Sequence, residues 1–317
     1  MLPKLLVPLS CLWLVAAWSP SAQAPPKPTG ANLVGTWVLI SAERLDGTTG
    51  PSTIPNPRGL LVFDSAGHAL EIVTRAGRRP YAANQPTPAE AQQTFADFAG
   101  FWGSYRVDER QGTIRYRPEG AVNPQLMGEE LVRSFDEKNE RLTITSPAGA
   151  REGQAGARWI WERVPPLETL SGANRALVGF WQHVVERRVN VATGVMISET
   201  HRAPGVIVYT PSGHVGVHFP PLNRKRFAAE APTDDEARAA VAGYVAYYGV
   251  YLLYPGIVFH HQLATIGPGQ GTSFRRFYEI TGGEINLKFP PAAVQGQEVR
   301  TIVTLKRLSG EAEMLGK

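Results

Sequence analysis

Apolar and polar residues alternate with a period of two along most of this chain, in short runs closed by turn residues. That period predicts strands with one buried face. The run Gly59-Leu-Leu-Val-Phe-Asp-Ser-Ala-Gly-His68 reads as strand, tight turn, strand, and the chain writes it again as Gly205-Val-Ile-Val-Tyr-Thr-Pro-Ser-Gly-His214. Pro211 suits the second position of a type I turn, and Gly67 and Gly213 suit a position of positive φ. The repetition extends both ways. Leu33-Val-Gly-Thr-Trp37 recurs as Leu177-Val-Gly-Phe-Trp181. Further on, residues 113–117, 131–135, 141–145 and 159–163 answer 257–261, 273–277, 284–288 and 301–306.

One helix interrupts each set of strands. Thr87-Pro88-Ala89-Glu90 and Thr233-Asp234-Asp235-Glu236 are capping boxes, the first with proline at the opening helical position. Ala91, Phe95, Phe98 and Trp102, and again Ala237, Val241, Tyr244 and Tyr248, are spaced for one helical face. Each copy therefore holds about eight short strands and one helix, and a meander of that size most simply closes into a barrel, which removes its edges. The predicted fold is mainly β: two tandem antiparallel β-barrels, each of about eight strands with one helix. Such a barrel holds either its own side chains or one small ligand.

The boundaries follow from the repeat: residues 33–164 form the first domain, 165–176 a linker opened by Pro165-Pro166, 177–308 the second domain and 309–317 a tail. Before them, Met1-Leu-Pro-Lys4 leads into a mainly apolar run to Trp18, then Ala22-Gln23-Ala24. This is the pattern of a signal peptide over residues 1–24, cleaved after Ala24, with 25–32 as a polar leader. The expected location is secreted or periplasmic. The apolar run is too short, and too broken by Pro8, for the roughly 20 residues of a membrane span, so the mature chain is expected to have none. Cys11 is the only cysteine and lies inside that run, which removes cysteine chemistry from the mature chain.

The net charge of +4 is scattered. Arg78-Arg79, Arg187-Arg188, Arg224-Lys225-Arg226 and Arg275-Arg276 read as solvated surface, and no basic stripe with interleaved aromatics argues for a nucleic-acid partner. Gly267-Pro-Gly-Gln-Gly271 lacks the Lys-Ser/Thr of a phosphate loop. No nucleophile elbow or pair of catalytic carboxylates stands out. No cofactor is expected, and no residue is assigned a catalytic role.

The repeated motifs resemble those of the bacterial and fungal lipocalin-like domain family. Its members open with Leu-x-Gly-x-Trp, as both copies do, and continue with Pro-x-Gly before an apolar strand, as Pro57-Arg58-Gly59 does. The family's Tyr-x-x-Tyr-x-Gly-x-Tyr is met by Tyr244-Val-Ala-Tyr247-Tyr-Gly249-Val-Tyr251, with Phe98-Ala-Gly-Phe101-Trp-Gly103-Ser-Tyr105 as an aromatic variant. A His-His pair and a Val-Arg-Arg-Phe strand often follow. The second copy has His260-His261 and Phe274-Arg275-Arg276-Phe277, whereas the first has Tyr116-Arg117 and Val132-Arg133-Ser134-Phe135. The resemblance covers nearly all of the mature chain. It implies lipocalin-like barrels; related barrels bind small apolar molecules, and some catalyse cyclisation or isomerisation.

Arg275 and its counterpart Arg133 are candidates for a cation inside each barrel, holding a ligand oxygen through paired N–H donors. The structural alternative is an arginine bridging strands at the barrel mouth. Arg133 shares a strand face with Leu131 and Phe135, which points it inward. His260 and His261 must face opposite ways. The Ile257/Phe259/His261 phase favours His261 inside, whereas matching Tyr116 to His260 favours His260. The inner histidine is either a general acid/base or a buried partner of a tyrosine. His214 and His218 share a strand face and could join one of that pair around a metal; unrelated polar positions are the simpler reading, and no metal is assigned. Tyr244, Tyr247, Tyr251 and Tyr105 are either packing residues or phenols aimed into a pocket. Three functions stay open. The first is an exported protein binding a small apolar or amphipathic molecule, most of all in the second domain, through residues drawn from Tyr244, Tyr247, Tyr251, His260, His261, Arg275, Tyr105, Arg133 and His218. The second is an isomerase or cyclase using Arg275, His260 or His261, and Tyr251. The third is a structural module with filled barrels.

Overall fold

The structure, a computed structural model, describes residues 31–45, 52–78, 81, 85–148, 156–201, 203–229, 231–267 and 269–308. The signal-peptide segment, most of the leader and the tail lie outside them.

Two closed eight-stranded antiparallel barrels account for the fold. In the first, strand Gly35–Leu45 pairs with Pro57–Phe63 on one side and Gly156–Val164 on the other, which closes the ring. In the second, Gly179–Asn190 does the same with Val206–Tyr209 and Gln297–Arg307. Alternation does the local work. In Leu131–Lys138 every second side chain is half-buried and the rest are exposed, so the strand has one wet face.

The Leu-x-Gly-x-Trp motif is a closure device. The Trp37 indole N–H donates to the Leu33 carbonyl at 2.9 Å, and that of Trp181 to Leu177 at 2.7 Å. Arg163 stacks 4.1 Å above the Trp37 ring and Arg307 4.0 Å above Trp181. Gly35 and Gly179 have φ of 140° and 135°, which L side chains rarely adopt, and a Cβ there would also press on the guanidinium nitrogen of Arg163 or Arg307 at 2.8 or 2.6 Å. The repeated hairpin is pinned as well. Its turn carbonyls, Asp64 and Thr210, accept from the Tyr105 and Tyr251 hydroxyls at 2.7 and 3.0 Å.

Both capping boxes form, but the helices are shorter than the apolar spacing predicts. They span Pro88–Asp97 and Asp234–Val241, and Phe98, Trp102 and Tyr248 lie on strands Phe98–Asp108 and Val245–Tyr254. A spacing of four returns to the same face in a strand as well as in a helix. The aromatic spacing alone could not separate the two.

Three hydrophobic cores result. One fills the first barrel around Trp37, Phe63 and Trp161. A second fills the base of the other barrel around Trp181, Tyr209 and Leu305. The third lies between the barrels and draws on both: Leu60, Val62, Leu70, Ile72 and Trp102 meet Phe180, Val206, Val208, Tyr244 and Tyr248. The two helices pack on each other beside it. Arg78 donates to the Thr265 and Ile266 carbonyls of the second barrel, and Arg224 donates to the Ala121 and Val122 carbonyls of the first. These are equivalent positions in the repeat, so the two barrels clasp each other with pseudo-two-fold symmetry. Arg78 and Arg224 are therefore not the solvated surface residues that their sequence context suggests.

Candidate functional site

The mouth of the second barrel holds a cavity of about 360 Å³. Apolar side chains make most of its wall, among them Ile207, Val217, Phe219, Phe274, Leu287, Phe289 and Val303. Polar groups enter it from Tyr247, His260, Gln262, Arg276, Thr301, His183 and Glu186.

His260 is the inward histidine of the pair, buried opposite Tyr251 and Phe274. His261 lies on the outer face, bonded to the Ser273 hydroxyl at 2.8 Å. His260 spans two phenols. Its Nε2 is 3.0 Å from the Tyr209 hydroxyl and its Nδ1 2.7 Å from that of Tyr247. Burial, reinforced by the nearby Arg276 charge, pushes its pKa down to about 3. Burial raises both phenols as well. At neutral pH the three rings form an uncharged hydrogen-bonded chain rather than a titrating acid/base pair.

The inward arginine of the second barrel is Arg276, and this corrects the assignment of Arg275. Arg133 lies opposite Ile114 and Arg276 opposite Val258, while Leu131 and Phe274 face Tyr116 and His260. Arg133 and Arg276 thus occupy one position in the repeat. Matching the two Val/Phe-Arg strings letter by letter slips the register by one, and a one-residue slip turns every side chain to the other face. Arg275 is exposed on the outer wall, its guanidinium 5.8 Å from the Phe277 ring.

Arg276 lies 3.6 Å from the Phe289 ring centre and 4.3 Å from that of Phe274. Its Nη1 donates to the neighbouring Arg275 carbonyl at 2.9 Å. Among the described residues no carboxylate is within ion-pair distance of it. Burial lowers its pKa, and only the Tyr247 and Tyr209 phenols oppose that.

The first barrel is arranged differently. Its mouth cavity is wider, about 690 Å³. Its inward arginine, Arg133, is bonded to Glu71 at 2.6 Å, both side chains being largely buried, and is ringed by Phe101, Tyr116 and Trp159. Burial works against the Arg133 charge, but Glu71 and Tyr116 outweigh it and its pKa rises.

The remaining sequence candidates go elsewhere. Tyr244 and His218 belong to the core between the barrels, bonded to each other at 3.1 Å, with Arg224 stacked 4.9 Å over Tyr244. Tyr105 and Tyr251 spend their hydroxyls on the turn carbonyls described above. His214 bonds Ser212 on the outer face of its strand, so the His214, His218 and His260 rings do not converge. Among the described residues no group of three or more His, Cys, Asp or Glu is placed to hold a metal ion. Sequence reading missed Arg276, Tyr209 and Glu71. For the last two a signal was present, since the copies differ there, Phe63 against Tyr209 and Glu71 against Val217, as they do at Phe101 against Tyr247 and Tyr116 against His260; at Arg276 they agree, its counterpart being Arg133.

Two buried neutral histidines carry a pH consequence. Burial pushes His218 down to about 3 as well. An unfolded histidine binds its proton near pH 6.5. The stability each contributes is complete above about pH 6.5 and is lost as pH falls from there towards 3, with a slope approaching about 1.4 kcal/mol per pH unit for each ring. Urea midpoints measured at pH 7 and pH 5 should fall with acid, and the drop should shrink in His260→Gln and in His218→Gln.

The lipocalin-like domain model matches the chain twice, at residues 34–164 and 178–308. No curated protein matches it in sequence. Among solved structures, an uncharacterized protein from Saccharomyces cerevisiae is 11% identical with a TM-score of 0.42, over 86% of this chain and 98% of that one. A protein of unknown function from Nostoc punctiforme is also 11% identical, with a TM-score of 0.23 over 87% of this chain and 96% of that one. Scores at this level add nothing to the argument. No helix among the described residues is long and apolar enough to cross a membrane. With two family matches over most of its length and two closed barrels to go with them, the chain belongs to the lipocalin-like domain family.

Proposed function

We propose that this is an exported binding protein whose second barrel holds a small amphipathic molecule, with its polar end at Arg276 and its apolar body against the Ile207, Val217, Phe219 and Leu287 wall. The observation that carries this reading is a half-buried cation, without a carboxylate partner among the described residues, inside a largely apolar cavity of about 360 Å³. Ligand sites commonly have that volume and that mixture of many apolar groups with a few polar ones. An uncompensated buried charge is costly, and a ligand oxygen would relieve it. Export rests on the apolar start of the chain and the Ala22-Gln23-Ala24 site.

The isomerase or cyclase reading has less support. His260 is held neutral, Arg275 faces solvent and Tyr251 is tied to the Thr210 carbonyl. A purely structural role is disfavoured by the open space in the second barrel.

The test is binding of a neutral fluorescent probe, N-phenylnaphthylamine, to purified protein, with organic extracts of the same preparation displacing it. Saturable binding, weakened at least about tenfold by Leu287→Trp filling the cavity and unchanged by Arg275→Gln, is the expected result. Binding unaffected by Leu287→Trp in a folded variant would place the site elsewhere. Intact mass of the exported protein should give a chain beginning at Pro25.

A further inference from the structure

The two barrels present one site in two states. Arg133 and Arg276 occupy the same position, but the residue opposite differs. Glu71 lies across from Leu61 and Phe101; Val217 lies across from Ile207 and Tyr247. Glu71 and Val217 are therefore equivalent as well. In the first barrel the chain supplies its own carboxylate to the inner arginine, at 2.6 Å. In the second it supplies a valine, and the space is open.

The hydrogen-bonded chain in the second barrel adds a second donor. Neutral imidazole has one donor and one acceptor nitrogen. Tyr209 is fully buried, does not line the cavity, and has His260 as the only side-chain partner of its hydroxyl among the described residues. If His260 donated to Tyr209, the Tyr209 proton would be buried without an acceptor, which costs about 1–3 kcal/mol. The favoured tautomer has Tyr209 donating to Nε2, and Nδ1–H donating to the Tyr247 oxygen. The Tyr247 proton is then left to point into the cavity. Tyr247 and Arg276 flank the same Phe274 ring. In the first barrel these three positions are Phe63, Tyr116 and Phe101, which cannot form the chain.

We propose that the second barrel selects a carboxylate. The carboxylate of an amphipathic acid takes the place that Glu71 fills in the first barrel, bound by Arg276 and the Tyr247 hydroxyl. The first barrel, already occupied by Glu71, does not bind such an acid. This rests on the reading of the second barrel as the ligand cavity.

The test compares octanoate with octan-1-ol, which share an apolar body, by calorimetry on the mature protein at pH 7. Octanoate should bind with a stoichiometry of one per chain, at least about tenfold more tightly than octan-1-ol. Arg276→Gln should abolish the preference. Val217→Glu should do the same by placing an internal carboxylate on Arg276, and it serves as the second variant should Arg276→Gln misfold. Tyr247→Phe should weaken octanoate several-fold and leave octan-1-ol unchanged. Equal affinity for acid and alcohol would overturn the carboxylate assignment and leave the cavity reading standing. Failure of both probes to bind would overturn both. Two octanoates per chain would overturn the exclusion of the first barrel.

Discussion

Glu71→Ala is expected to destabilise the protein by about 3–5 kcal/mol, the range for removing one partner of a buried ion pair. Arg133 would be left charged among Phe101, Tyr116 and Trp159, where water reaches little of it. The penalty is that of an unpaired charge rather than the strength of the pair. Replacing both members with apolar residues of similar size, Glu71→Leu with Arg133→Met, should therefore recover most of the loss. Urea denaturation of the two variants checks this. A single variant no less stable than the double one would mean that solvent already screens Arg133. The same comparison bears on the second barrel, where no carboxylate among the described residues is within ion-pair distance of Arg276. If Glu71→Ala leaves the fold intact but less stable, added octanoate should restore part of the loss, since a ligand bound only to the folded state stabilises it.

Leu70→Asp should have the larger structural consequence. Leu70 is fully buried in the core between the barrels, against Gly216 of the second. A carboxylate there would be set among the apolar side chains of that core. The expected loss exceeds about 4 kcal/mol, the range reached by unpaired buried charge. It should be seen in both barrels together, because the third core belongs to both. Calorimetry of the unaltered protein should show one cooperative transition, with equal calorimetric and van't Hoff enthalpies. Two separated transitions would mean that the barrels fold independently and that the clasp through Arg78 and Arg224 contributes little.

Much of this architecture was legible in the sequence because it is written twice. The repeated hairpin, the Leu-x-Gly-x-Trp opening and the capping boxes each had a local physical cause, and local causes survive without tertiary context. The union of the barrels also left a trace. Leu60-Leu-Val-Phe63 and Val206-Ile-Val-Tyr209 are continuous apolar runs rather than alternating ones, as strands buried on both faces should be. One face of each run turned out to meet the other barrel. The helix ends were illegible because a spacing of four suits both helix and strand. The site was harder still. Arg275-Arg276 offers two arginines one residue apart, and only strand pairing decides which faces inward. Tyr247 and His260 lie in motifs that drew attention, but Tyr209 is conspicuous only when its repeat partner, Phe63, is set beside it. The two copies share the inner arginine, and the residues at which they disagree are the ones that give it different surroundings.

The most direct test of the second barrel as a ligand site is a crystal structure of the protein grown with octanoate. The expected result is density for one molecule per chain in the second barrel, with carboxylate oxygens about 3 Å from the Arg276 guanidinium and the Tyr247 hydroxyl, its tail towards Leu287 and Val217, and the Arg133–Glu71 pair unchanged. A second barrel empty at saturating octanoate, or closed by its own side chains, would contradict it.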